Sequence, residues 1–142
     1  MILGLKRGIV ELADHDPQWK NAAADMIEQL WCIFGVKAND IQHIGSTAIA
    51  GIKAKPIIDI AVGIHSFESL DALLPHLEVN GIEKSAGQPF ENVVLFSVDD
   101  CKSGKRIYNI SVVKFDNNQW RNYINFRDYM NNFPNKAIAY DD

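Results

Sequence analysis

The stretch His43–Ile64, "HIGSTAIAGIKAKPIIDIAVGI", decides how the rest of the chain is read. Its second half, "PIIDIAVGI" (Pro56–Ile64), is an apolar run of strand length, the pattern of a strand covered on both faces. Side chains alternate along a strand, so Ile58, Ile60, Val62 and Ile64 share one face. Ile57, Asp59, Ala61 and Gly63 share the other. Asp59 is therefore a carboxylate inside an apolar strand, which is costly unless it is paired or faces a cation. The small residues that follow it on its own face leave room beside it. Upstream, Gly45-Ser46-Thr47 interrupts "IQHIG", which alternates as a short strand, and "TAIAG" suits one or two helical turns. A Gly-Ser turn at such a junction serves either as an ordinary N-cap or as an anion site, where glycine lets a phosphate approach backbone N–H groups. No Gly-Lys-Ser/Thr follows, so it is not a P-loop. Lys53 and Lys55 lie between the turn and the strand; they are either solvated or face the same anion.

On the N-terminal side, "VELADHDPQW" opens extended and then starts a helix. Asp16 is placed to cap it, and Pro17 suits the first helical position. Trp19, Ala23, Met26, Leu30 and Phe34 recur at helical spacing up to Gly35, a natural helix stop. This aromatic stripe reads as core. On the C-terminal side, "SFESLDALLPHLEVNG" carries Phe67, Leu70, Leu74 and Leu77, a second helix with Ser66 as N-cap. Pro75 should kink it or split it in two. "GIEKS", "NVVLFSV" and "RIYNISVVKF" read as strands, the last two joined as a hairpin by "DDCKSGK". "NNQWRNYINFRDYMNNF" is a third helix from Asn117 or Asn118 to the residue before Pro134, with Trp120, Tyr123, Ile124, Met130 and Phe133 as its apolar stripe. "NKAIAYDD" is a short tail. This order predicts one mixed α/β domain over residues 1–142, with helices against a small sheet.

Arg127 falls within the third helix's apolar stripe. It is read either as a salt-bridge partner of Asp59 or another carboxylate, or as a phosphate clamp suited to guanidinium geometry. His43 is read as a satisfied structural histidine, with a ligand or acid–base role only if it points into the site.

The 142 residues are 47% apolar and 23% charged, ordinary for a folded chain able to bury a core. A formal charge of −4 gives no global basic footprint, so nucleic acid is not the expected partner. Lys102, Lys105, Arg106 and Lys114 are the residues from which a local basic face would be built. No apolar run reaches the length of a membrane span, and no signal peptide is recognisable. Cys32 and Cys101 match no zinc spacing; Cys32 is expected to be a buried thiol, and a cytoplasmic location is expected.

The Gly-Ser turn followed by an aspartate on an apolar strand resembles the nucleotidyltransferase superfamily. More closely, "IQHIGSTAIAGIKAKPIIDI" resembles the GrpB family, a group without assigned function thought to share that fold. "DHDPQW" (Asp16, Pro17, Trp19) and "FRDYMNNFP" (Phe126, Arg127, Asp128, Tyr129) extend the likeness over nearly the whole chain. The resemblance implies a minimal nucleotidyltransferase-like fold, a mixed sheet flanked by helices. It implies a phosphate site at the turn of Gly45, Ser46 and Thr47, and Asp59 as catalytic residue and ligand to Mg²⁺; His43, Lys55, Asn109, Ser111 and Arg127 are the further candidate ligand-binding residues. The expected function is binding of a nucleotide or another phosphorylated small molecule, with nucleotidyl transfer as its furthest form. Active members carry a second carboxylate two residues on and a third on the facing strand. Here Ala61 stands at the second place, and on the strand expected to face Asp59, "RIYNISVV", Asn109 and Ser111 stand where GrpB relatives carry a His-x-His-like pattern. The alternative is thus a degenerate binding or interaction module with a vestigial pocket.

Overall fold

The computed structural model describes residues 3–6, 8, 11–85 and 92–141, with the backbone alone for the last four of these. The first helix, α1 (Gln18–Phe34), starts where Asp16 Oδ1 accepts from the Gln18 N–H at 2.9 Å. Trp19, Ala23, Met26, Leu30 and Phe34 are all buried on it, the first and fourth completely. Strand β1 (Ala38–Ile44) follows, then the Gly-Ser turn and β2 (Ile58–Ile64). Helix α2 (Leu70–Val79) leads through β3 (Glu83–Lys84) to the hairpin of β4 (Val93–Asp99) and β5 (Arg106–Lys114). Helices α3 (Asn118–Asn132) and α4 (Pro134–Asp141) close the chain.

Among the described residues, five strands form one mixed sheet in the order β1-β2-β5-β4-β3. Only β2 and β5 run parallel. The parallel pair is internal and receives helices on both faces, as its apolar sequence requires. Ile58, Ile60, Val62 and Ile64 join the α1 and α2 side chains in the larger core. The opposite face packs Ala61, Val93 and Val113 against Trp120 of α3. A Cβ on Gly63 would meet the Phe115 ring at 2.9 Å and the Trp120 ring at 3.2 Å, so this strand position must be bare for α3 to dock. A third cluster joins Ile49, Ile52 and Ala137, fastening α4 to the segment after the turn.

Of the two outcomes expected at Pro75, the split is excluded, because α2 runs through it unbroken. Asp71 and Pro75 both face solvent, so water can serve the Asp71 carbonyl that proline leaves without an N–H. The tail after Pro134 is helical. Cys32 is exposed, because it lies about 200° around α1 from Leu30, on the outer face. Phe133 is 52% exposed and stacks on Tyr129 rather than entering the core. The extended N-terminal piece is irregular from Glu11, apart from a bridge between Ala13 and Ala54; Val10 lies outside the described residues.

Candidate functional site

Gly45 ends β1 with φ +75°, in the left-handed region, and a single 3₁₀ turn (Ser46–Ala48) follows. A Cβ built on Gly45 would lie 2.5 Å from Asp59 Oδ2 and 3.1 Å from its Cβ and Cγ. The turn is thus seated directly on the carboxylate, and only glycine permits that approach. The register explains the contact: Ile44 pairs with Asp59 across β1 and β2, so the chain leaving β1 passes over the aspartate.

Asp59 pairs in turn with Asn109 across the parallel strands, and the Asn109 side chain hydrogen-bonds the carboxylate. Asn109 accepts at 3.5 Å from Arg106, which is held by Asp99 at 2.6 Å. Burial pushes the Asp59 carboxyl up to about 6, while the Asn109 bond and the charge of Lys55 oppose the shift.

Leu12, Ser46, Thr47, Lys53, Ala54, Lys55, Ile57, Asp59 and Asn109 line one cavity of about 580 Å³. The loop bearing the lysines is pinned at its middle and end. Ala13 and Ala54 exchange backbone hydrogen bonds of 2.9 and 3.0 Å, and Gly4 N donates to Pro56 O at 2.6 Å. Lys53 and Lys55 flank Ala54 in this bridged segment, and both reach the cleft. An adjoining cavity of about 710 Å³ shares Lys55, Ile57 and Asn109 and runs on past Arg106, Asp99 and Glu83.

His43 and Arg127 lie elsewhere. His43 pairs with Ile60, so it points to the α1 face, opposite Asp59. Its Nε2 meets Thr47 Oγ1 at 2.9 Å. Burial, together with the charges of Arg127 and His15, lowers its pKa to about 4, so it is neutral near pH 7. Arg127 is not paired with Asp59. Its Nη1 donates to Gln42 Oε1 (2.8 Å) and the His43 carbonyl (3.0 Å), and its Nε donates to Asp128 (3.0 Å). These bonds occupy most of the guanidinium and brace the end of β1. Asn131, one turn further along α3, donates to Ala48 O and accepts from Ala50 N. Its role went unread in the sequence, although the Arg127/Asn131 spacing of four residues places both on one helix face. His43, Thr47, Arg127 and Asn131 line a separate cavity of about 560 Å³ behind the turn. Ser111 pairs with Ala61 and Leu95, one step further from the turn than Asn109, and lines none of these cavities.

The residues named from sequence therefore separate. Gly45, Ser46, Thr47, Lys55, Asp59 and Asn109 come together, while His43 and Arg127 support the turn from behind. A profile described as GrpB protein matches residues 9–142. The chain belongs to the GrpB family. The Glutamate-rich protein GrpB of Alkalihalophilus pseudofirmus is 31% identical over 99% of this chain and 82% of its own length. The UPF0157 protein YqkA of Bacillus subtilis is 30% identical over 92% of this chain, which spans only 37% of that relative. The crystal structure of GrpB from Enterococcus faecalis superposes with a TM-score of 0.84 at 26% identity, over 92% of this chain and 78% of that one. A Cid1 poly(U) polymerase structure matches with a TM-score of 0.57 at 16% identity, over 84% of this chain and 39% of that one. That likeness establishes a nucleotidyltransferase-like fold.

The donor set does not fit a two-metal centre. Such a centre holds ions about 3.5–4 Å apart and needs carboxylates on both. Among the described residues, Asp59 is the one carboxylate lining the cleft beside the turn. No group of three His, Cys, Asp or Glu residues suited to a metal ion occurs among the described residues. No helix of the described residues is long and apolar enough to cross a membrane.

Proposed function

We propose that this GrpB-family chain binds a nucleotide or another phosphorylated small molecule, with the phosphates beside the Gly-Ser turn. The observation that carries the proposal is the convergence of Ser46, Lys53, Lys55, Asp59 and Asn109 on one cavity, under a turn that only glycine lets sit on the aspartate. Its volume lies within the range of small-molecule sites, about 300–1,000 Å³. The lysines supply compact positive charge for phosphate oxygens. The adjoining trough past Asn109 offers space for the remainder of the ligand. The solved Cid1 neighbour is described as bound to MgATP, and its likeness to this chain supports the nucleotide as the first class to test.

Nucleotidyl transfer is the less favoured extension, because Ala61 and Asn109 stand where the transfer chemistry would place carboxylates. Calorimetric titration with ATP, GTP, CTP, UTP and tripolyphosphate tests the binding proposal. Saturable binding to at least one, weakened in Ser46→Ala and Lys55→Ala, is expected. Failure of all five to bind would refute it. Incubation with α-labelled nucleotide and cell extract tests transfer; label reaching any product only when the protein is present would overturn the non-catalytic reading.

A further inference from the structure

We infer that phosphate binding in the Asp59 cleft is independent of divalent metal, with Lys55 and Lys53 supplying the charge that a cation would otherwise provide. This rests on the phosphate-binding reading above and deepens it.

The inference follows from one row of residues across the sheet. The register aligns Ile44, Asp59, Asn109, Ser97 and Glu83 on β1, β2, β5, β4 and β3 in turn. The neighbours of Asp59 are therefore an isoleucine and an amide. Glu83, the next carboxylate in the row, is three strands away, about 14 Å at the usual spacing of about 4.8 Å between strands. A shared Mg²⁺ would need both carboxylates within about 2.1 Å of the ion. Along β2, the next position on the same face is Ala61, which is completely buried beneath Trp120 and has no polar atom to offer. The aspartate itself is boxed in. One carboxylate oxygen fills the space where a Gly45 Cβ would stand, and Asn109 hydrogen-bonds the side chain. A hydrated Mg²⁺, which keeps several waters and demands octahedral geometry, finds one partly engaged carboxylate there.

The positive charge comes from elsewhere. The turn is a single 3₁₀ turn whose Ala48 and Ile49 N–H groups are used internally, bonding Gly45 O and Ser46 O. It is too short to act as a helix dipole, so Lys53 and Lys55 are the cationic groups among the described residues of the cavity. They sit on a pinned loop, and Lys55 interacts with Asp59 through space. Among the described lining residues the charged groups are Lys53, Lys55 and Asp59, so cationic side chains stand at the cleft without an added ion. In this arrangement the Asp59 charge attracts Lys55 and repels the ligand, the reverse of what a metal-ligating aspartate does.

Isothermal titration of the full chain with ATP, in excess EDTA and in excess Mg²⁺, tests this. Dissociation constants within about threefold of each other are expected, a difference well below the tenfold that about 1.4 kcal/mol represents. Lys55→Ala should weaken ATP binding by about tenfold or more, the loss of one charge-assisted contact, and Lys55 is exposed, so the variant folds. Asp59→Asn should bind ATP as tightly as the parent or more tightly. Binding that EDTA abolishes, Mg²⁺ restores and Asp59→Asn eliminates would overturn the inference while leaving the phosphate site standing. Absence of ATP and tripolyphosphate binding in both conditions would overturn the phosphate-binding reading itself, and the inference with it.

Discussion

Gly45→Ala should destabilise the protein more than its backbone conformation alone accounts for. An alanine at φ +75° costs about 1–2 kcal/mol for the left-handed conformation. Its Cβ would also stand 2.5 Å from Asp59 Oδ2, with two further Asp59 carbons at 3.1 Å. Relieving that overlap adds about 1–3 kcal/mol, the usual cost of an overpacked site. The total of about 2–5 kcal/mol is large against a typical domain stability of about 5–15 kcal/mol. An unfolding entropy of about 2.1 cal/mol/K per residue, over 142 residues, makes each kcal/mol worth about 3 °C in Tm. Scanning calorimetry should thus show a loss of about 6–15 °C. Gly81→Ala is the control: φ is +77° there, yet nothing lies within 4 Å of the added Cβ, so about 3–6 °C is expected. The double variant Gly45→Ala/Asp59→Ala should be less destabilised than the sum of its parts, since truncating Asp59 removes the Oδ2 overlap. A Gly45→Ala Tm no lower than that of Gly81→Ala, or strict additivity in the double variant, would refute the contact between turn and carboxylate.

The remaining predictions concern the charges around the turn. Asp59's folded pKa is raised to about 6, so its contribution is fully present below pH 4 and is lost as pH rises through 6; His43's is lowered to about 4, so its contribution is present above pH 6.5 and is lost as pH falls through 4. Each amounts to about 3 kcal/mol at most and the two oppose one another, so Asp59→Asn should make urea-measured stability rise more steeply between pH 4 and 6, and His43→Gln should make it rise less steeply or fall. Arg127→Ala should cost about 1.5–3 kcal/mol through the lost bonds to Gln42 and the His43 carbonyl. It should also raise the His43 pKa in an NMR titration, because Arg127's charge helps to lower it; an unmoved pKa would contradict this placement of the guanidinium. Asn109→Asp should push the Asp59 pKa above its parent value, as a like charge on the paired position of the adjacent strand must; carboxyl titration by ¹³C NMR reads this directly.

Much of this arrangement was legible in the sequence, for reasons that differ by element. The α1 stripe declared itself because five residues kept one 3.6-residue period and lost water together. The two faces of β2 followed from simple alternation, and the sheet buried them as that alternation required. The same arithmetic applied to Cys32 places it outside, against the expectation of a buried thiol. Helix α4 was illegible because it is short and fastens through Ala137, a residue with little pattern of its own. At the site, Asp59 and Asn109 pair as the fold resemblance implied. The separation of His43 and Arg127 from Asp59 depends on the antiparallel register of β1, which pairs His43 with Ile60, and no local pattern states that register. The bracing of the turn by Asn131 spans more than 80 positions of chain and likewise emerges only when α3 docks.

The central claim is that a phosphate-bearing ligand occupies the cleft between the Gly-Ser turn and Asp59. An ¹⁵N-HSQC titration of the full chain with ATP addresses it most directly. The account predicts saturable shifts centred on the amides of Ser46, Thr47, Lys53, Lys55, Asp59 and Asn109, with the α2 amides unmoved. Shifts that cluster instead on His15, Lys20 and Arg127, which line the cavity behind the turn, or a spectrum unchanged at saturating nucleotide, would contradict it.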